Sequence, residues 1–72
     1  MNKKKEREKL RNRLREHRAR LDISQSDLAE AVGMSRMSIG RIEDGGGCTL
    51  HTAMLLGRAL ETPVDELFYL ET

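Results

Sequence analysis

Two arginines near the middle of the chain have the side-chain type and the spacing to read a nucleic acid. At about 100° per residue, Arg36, Met37 and Arg41 fall on one side of a helix, and Ile39 and Ile42 fall on the other. A guanidinium can donate two hydrogen bonds to O6 and N7 of guanine, and a methionine can contact a thymine methyl. The pattern therefore predicts a helix with a buried isoleucine side and an exposed, basic side that contacts base edges.

The residues before this helix predict a second helix and a tight turn. Ser24 is a good N-cap, with Asp27 three residues later as a capping-box acid. Gly33 suits the left-handed conformation that ends a helix, and Ser35 can cap the helix that follows. Helix, turn and helix fit into about 20 residues, which is typical of a helix-turn-helix whose second helix enters the major groove of DNA.

The remaining segments predict three more helices, and so an all-α domain of five. One spans Glu6 to Leu21, a fourth runs from the cap Thr49 to about Leu60, and the last starts at Thr62–Pro63 and continues through Leu70. Gly57 inside the fourth helix predicts close backbone packing. The methionines at helical spacing, Met34 and Met54, are predicted to lie in the core.

Charge is unevenly distributed along the 72 residues. Residues 1–20 hold ten of the thirteen Lys and Arg against three acids, a balance of +7, and residues 21–72 have a balance of −6. A dense basic segment attracts nucleic acid or an anionic surface, but a solvated helix start has the same composition. We predict that residues 1–9 form a basic N-terminal arm or helix extension and that residues 10–70 form the helix-turn-helix domain.

Length and composition exclude several functional classes. No apolar run approaches 18 residues, so no membrane span is predicted, and a single cysteine fits a reducing cytoplasm. Cys48 and His51 have a C-x-x-H spacing, but even with His17 they are too few for a zinc site, and we predict neither metal nor cofactor. No histidine or serine has an acid partner for catalysis, and so short a chain cannot enclose an ordinary substrate pocket. The sequence therefore predicts no enzyme.

Two segments resemble a known family. Residues 23–45, ISQSDLAEAVGMSRMSIGRIEDG, resemble the helix-turn-helix of the xenobiotic-response-element family, the class of phage lambda repressor and Cro. Residues 60–68, LETPVDELF, resemble the closing helix of that family, and the match covers about residues 10–68. The resemblance implies a five-helix domain that binds operator DNA, usually as a homodimer.

The resemblance also implies roles for individual residues. The base-reading positions are Arg36, Met37 and Arg41, and the phosphate-contacting positions are Gln25, Ser35 and His51. Gln25 also matches a residue that braces the third helix. A structural ion pair between the first helix and the end of the third corresponds to Arg18 and Glu43. For the apolar residues Phe68, Tyr69 and Leu70, packing on their own domain and contact with a second subunit are both open, and we predict the dimer contact.

Some residues depart from the family pattern. Asp44 replaces a common asparagine and puts a negative charge on the predicted DNA side, while Gly46 and Gly47 stand where a basic residue often meets phosphate. Phosphate affinity would then come from the N-terminal segment, whose basic residues include Lys3, Lys4, Lys5 and Arg7. Gly40 leaves a further gap in the reading face.

The combined prediction is a cytoplasmic, dimeric regulator that binds double-stranded DNA with sequence specificity. Its simplest form is a repressor that reads a palindromic operator with its third helix. The alternative is a protein-interaction module, such as the antitoxin of a toxin–antitoxin pair, which the balance of −6 over residues 21–72 and Asp44 would favour.

Overall fold

In the described part of the chain, five helices surround an apolar core, and two short strands lie beside them. The computed structural model describes residues 8–72. The helices are α1 (Leu14–Leu21), α2 (Gln25–Val32), α3 (Arg36–Arg41), α4 (Leu50–Ala59) and α5 (Val64–Leu67), and the strands are β1 (Lys9–Asn12) and β2 (Phe68–Glu71). A wider helical turn over Ile42–Gly46 continues α3. The predicted five-helix domain is therefore confirmed, with a small sheet in addition.

The core draws one fully buried apolar side chain from every helix and one from the residue after α4. These side chains are Leu14, Leu28, Ile39, Leu56, Leu60 and Leu67. Burying a leucine or isoleucine contributes about 1.5–3 kcal/mol relative to leaving it exposed. Because α3 is only six residues long, its position depends on Ile39 and on the neighbouring Ile42, which is also buried. Among the described residues, no helix is both long and apolar enough to cross a membrane.

The predicted helix boundaries around the turn are confirmed. The Ser24 hydroxyl accepts a hydrogen bond from the Asp27 backbone at 2.9 Å, and the Asp27 carboxylate accepts one from the Ser24 backbone at 3.0 Å. Gly33 ends α2 with φ of 73°, in the left-handed region that glycine adopts without steric cost. Ser35 caps α3 by accepting from the Ser38 backbone at 3.0 Å, and Thr49 caps α4. These local signals fix where α2 ends and where α3 begins.

The two strands correct the predicted first and last helices. β1 and β2 are antiparallel, with Leu10 opposite Leu70 and Asn12 opposite Phe68. The predicted helix from residue 6 is therefore wrong over β1, and the predicted last helix is wrong over β2; residues 6 and 7 lie outside the described part of the chain. Helix α1 starts only at Leu14, whose backbone donates to the Asn12 side chain at 3.1 Å. The predicted domain boundary between residues 9 and 10 falls inside β1.

Gly57 confirms the predicted close packing and gives a test of it. A Cβ at this position would lie 2.8 Å from the backbone oxygen of Thr62, whereas a Cβ on Gly40 in α3 would lie 3.8 Å from the Gln25 side chain. We expect Gly57→Ala to lower the free energy of unfolding by about 1–3 kcal/mol through overpacking. Gly40→Ala serves as the matched control and should raise it by about 0.5–1 kcal/mol through helix propensity. Urea denaturation measures both, and equal effects of the same sign would contradict this explanation.

Candidate nucleic-acid interface

Helix α3 exposes the residues that the sequence assigns to base reading. Ile39 and Ile42 are buried, while Arg36, Met37 and Arg41 are exposed, and Met37 leaves 70 % of its surface accessible. An apolar side chain this exposed on a short helix costs solvation free energy unless something covers it. The outer side of α3 thus combines two guanidinium groups with an uncovered thioether, which are the groups needed to contact guanine and thymine edges in a major groove.

A chain of hydrogen bonds holds Arg36 in place from three elements. Nη1 of Arg36 donates to Oε1 of Gln25 at 3.0 Å, and Nε2 of Gln25 donates to Oε1 of Glu43 at 2.9 Å. Arg18 in α1 donates to both oxygens of Glu43, at 2.7 Å from Nε and at 3.2 Å from Nη2. The structure thus joins α1, the start of α2 and the end of α3 through one carboxylate, and Gln25 braces α3 directly.

Glu43 carries the negative charge at the centre of this chain, and its side chain is only 1 % exposed. Burial alone would raise the pKa of this carboxyl. The hydrogen bonds from Arg18 and Gln25, together with the positive charges of Arg18 and Arg15, outweigh burial and lower the pKa below its ordinary value of 4.5. Glu43 is therefore ionised at neutral pH, when its bonds are all formed.

The lowered pKa of Glu43 makes stability depend on acid. A carboxylate whose pKa is lower in the folded than in the unfolded state stabilises the folded state. This contribution is complete above the unfolded pKa of 4.5, and it is lost as the pH falls through the folded pKa. We expect the free energy of unfolding to fall on acidification below about pH 4.5 and to fall less steeply in Glu43→Gln. Urea denaturation at a series of pH values measures both slopes. Equal slopes would show that this carboxyl has the same pKa folded and unfolded.

The predicted phosphate-contacting residues lie at the starts of three helices. Gln25 opens α2, Ser35 caps α3 and His51 lies exposed in the first turn of α4. The Ser35 hydroxyl already bonds Ser38, and Gln25 uses one of its two amide N–H groups on Glu43. The start of α4 approaches α3, since Thr49 and Arg41 line the same shallow cavity of about 300 Å³. The structure thus places the start of α4 near Arg41, one of the three predicted base-reading residues.

Arg15 contributes to the charge around the end of α3, and the sequence did not predict this role. Its guanidinium lies 3.8 Å from the carboxylate of Asp44 and 3.6 Å from that of Glu43. The side chains of Arg15 and Asp44 are mostly exposed, so the pair is worth no more than about 1 kcal/mol. It nevertheless places a positive charge beside the aspartate that departs from the family pattern. An arginine at the second position of α1 carries no local sequence signal that would place it beside residues 43 and 44.

The three apolar residues predicted to contact a second subunit have different surroundings. Phe68 is half-buried and packs against the core. The Tyr69 ring lies under the guanidinium of Arg13, whose central carbon is 4.2 Å from the ring centroid. Leu70 leaves 62 % of its surface exposed. Only Leu70 therefore presents most of its side chain to a partner.

Asn12 is a second residue that the sequence analysis missed. Its amide donates to the backbone oxygen of Ile42 at 2.9 Å, while its own oxygen accepts from Leu14. The side chain thus links β1, the start of α1 and the end of α3. An asparagine just before an apolar helical segment is the signal that could have identified it.

The cysteine is not activated for chemistry. Cys48 lies on the surface at the cavity beside Arg41, and partial burial raises the pKa of its thiol. A raised pKa leaves the thiol protonated and weakly nucleophilic at neutral pH. Within residues 8–72, no three side chains of the His, Cys, Asp or Glu types are grouped to hold a metal ion.

Comparison with known proteins agrees with this geometry. A family model described as helix-turn-helix matches residues 14–67, which include all five helices. An uncharacterized HTH-type transcriptional regulator of Bacillus subtilis, YgzD, is 33 % identical over 63 residues, covering 86 % of this chain and 96 % of the relative. The crystal structure of the restriction-modification controller protein C.AhdI from Aeromonas hydrophila is similar with a TM-score of 0.69 and 33 % identity, over 74 % of this chain and 82 % of that one. The chain therefore belongs to the helix-turn-helix family of DNA-binding transcriptional regulators.

Proposed function

We propose that this regulator is a dimeric repressor that binds a palindromic operator through α3. The observation that carries the proposal is the exposed, basic side of α3, on which Arg36 is held by Gln25 at 3.0 Å while the opposite side is buried. A guanidinium that is already oriented loses less rotamer entropy when it binds a base than a free one does. Its hydrogen bonds to guanine can then contribute to specificity.

In the proposed complex, each subunit inserts α3 into one major groove, and the two half-sites lie about 34 Å apart along the DNA. Arg36, Met37 and Arg41 contact base edges. Gln25 donates its second amide N–H to a phosphate without giving up Glu43, and Ser35 and His51 contact neighbouring phosphates. Regulation by binding requires no catalysis, and we place the protein in the cytoplasm.

Two features bear on how strongly this surface binds phosphate. The Asp44 carboxylate lies near the C-terminal end of the reading helix. The Arg15 guanidinium lies 3.8 Å from it and neutralises its charge only in part. The basic residues predicted to supply further phosphate contacts, Lys3, Lys4, Lys5 and Arg7, lie outside the described residues. If DNA affinity falls steeply with salt concentration, the protein makes more phosphate contacts than α2, α3 and α4 supply, and the basic N-terminal residues are their predicted source.

Selection of bound sites from random DNA tests the proposal in one experiment. We expect enrichment of a two-fold symmetric site whose half-sites are separated by one helical turn, and a linear fall of log affinity with log salt at about −0.9 per phosphate contacted. Enrichment of an asymmetric site would contradict the palindromic dimer. Failure to bind any DNA at low salt, together with a tight 1:1 complex with another protein, would instead favour the protein-interaction module.

A further inference from the structure

The side-chain amide of Gln25 lies between a buried carboxylate and a side chain of the reading helix. Its Nε2 donates to Oε1 of Glu43 at 2.9 Å, and its Oε1 accepts from Nη1 of Arg36 at 3.0 Å. A glutamine amide has one donor end and one acceptor end, so turning it over exchanges the two. The direction in which this amide faces therefore decides whether Arg36 meets an acceptor or another donor.

Glu43 sets the direction of the Gln25 amide. An ionised carboxylate can only accept hydrogen bonds, so the N–H end of the amide must face Glu43. The oxygen end then faces Arg36, whose guanidinium can only donate. On its other side, the same carboxylate accepts from Nε of Arg18 at 2.7 Å, which holds it in place. Each donor in this series of bonds meets an acceptor.

Glu43 itself cannot contact a base, because its side chain is only 1 % exposed. Any effect that it has on base reading must therefore pass through its neighbours. Its negative charge, in contrast, weakens the binding of all DNA alike, because it reduces the positive potential of the protein. A specific contribution of Glu43 to base reading would act against this general effect, and the opposite signs make the two separable by experiment.

We propose that Glu43 is a positioning residue for base reading, which orients the Gln25 amide so that Arg36 is held ready to bond guanine. This inference rests on the proposed function of α3, and it gives the ion pair of Arg18 and Glu43 a role beyond stability. The bond to Gln25 uses one of the five N–H groups of the Arg36 guanidinium. Two others can therefore still donate to O6 and N7 of one guanine.

Glu43→Gln in the full chain tests this role. The new side chain should keep its oxygen on Arg18, whose bond to Glu43 is the shorter one, and so turn its NH2 group towards Gln25. The Gln25 amide would then turn over and present its own NH2 to Arg36. We expect operator affinity to fall about 5- to 10-fold, as part of one bidentate base contact is lost. Affinity for a scrambled duplex should stay the same or rise, because a negative charge has been removed.

A double-mutant cycle separates positioning of Arg36 from a general structural effect. In an Arg36→Ala background, Glu43→Gln should change operator affinity by no more than about 2-fold, because the arginine that it positions is gone. In an Arg41→Ala background the full loss should remain, since Arg41 makes none of the bonds in this series. Fluorescence anisotropy with operator and scrambled duplexes measures each affinity, and urea denaturation gives the folded fraction by which it is corrected.

Two further variants control for stability and for the route through Gln25. Gly57→Ala destabilises the domain at the Thr62 backbone, away from this series, and should change both affinities by the same factor. Gln25→Met keeps the bonds between Arg18 and Glu43 but removes the amide. It should lower the ratio of operator to scrambled affinity about 5- to 10-fold, as Glu43→Gln does.

Several outcomes would overturn the inference. If Glu43→Gln lowers both affinities by the same factor, or costs as much operator affinity without Arg36 as without Arg41, then Glu43 only stabilises the fold. An unchanged affinity ratio in Gln25→Met would show that the amide does not transmit the effect. If Arg36→Ala alone leaves operator affinity unchanged, Arg36 reads no base, and the proposed function of α3 fails together with the inference. The first two outcomes leave that function standing, so the failures are distinguishable.

Discussion

Arg36→Ala and Arg41→Ala are each expected to lower affinity for the selected operator by about 10- to 100-fold, the loss of one bidentate base contact. Affinity for unrelated DNA should fall much less, because non-specific binding depends on total positive charge and not on base edges. The exposure of both guanidinium groups on α3 is the structural reason for this expectation. Fluorescence anisotropy with operator and scrambled duplexes at one fixed salt concentration gives both affinities.

Arg58→Ala provides the matched control for charge. Arg58 is an exposed arginine near the end of α4, so its removal changes the net charge by the same amount without touching α3. It should lower affinity for both duplexes slightly and equally. If Arg58→Ala and Arg36→Ala had the same effect on the two duplexes, α3 would not be the element that reads bases.

Glu43→Ala is expected to lower the free energy of unfolding by about 3 kcal/mol. The substitution removes the carboxylate that pairs with Arg18 and leaves a mostly buried guanidinium charge without a partner. The Arg18 side chain is only 14 % exposed and donates twice to Glu43. A domain of this size has about 3–5 kcal/mol of stability from its core. The substitution therefore leaves about 0–2 kcal/mol, and urea denaturation should show a midpoint shifted to much lower urea concentration.

The exposed ion pair between the strands is the control for Glu43. Arg11 and Glu71 approach to 2.7 Å, the same distance as Arg18 and Glu43, but their side chains are about half exposed. Glu71→Ala should change the free energy of unfolding by no more than about 0.5–1 kcal/mol. Equal losses in Glu43→Ala and Glu71→Ala would mean that burial does not decide the strength of these pairs.

The helix-turn-helix could be predicted from sequence because its signals are local. A cap is recognised from residues three apart, as at Ser24 and Asp27, and the turn from one glycine at position 33. The buried and exposed sides of α3 follow from helical spacing alone. Each of these features depends on residues within one or two helical turns, so no knowledge of the rest of the chain is needed.

The sheet could not be predicted in the same way. Residues 9–12, KLRN, favour helix in isolation, and they form a strand only because β2 supplies hydrogen bonds from residues about 60 positions away. The contribution of Arg15 near Asp44 was missed for the same reason, since it depends on how α1 crosses the end of α3. The prediction that Met54 lies in the core is wrong, since 59 % of its surface is exposed. Helical spacing alone does not indicate which apolar side of a helix faces the core.

The pairing of β1 with β2 also bears on the order in which the chain folds. Contacts between α2 and α3 close short loops, whereas Arg11 and Glu71 are separated by 60 residues. Closing a loop that long costs chain entropy before the strand hydrogen bonds can form and offset the cost. The sheet is therefore expected to form after the helices. Helices α2 to α4 would then be in place while both ends of the described chain are still free. Folding of the reading surface therefore need not wait for the ends of the chain to meet.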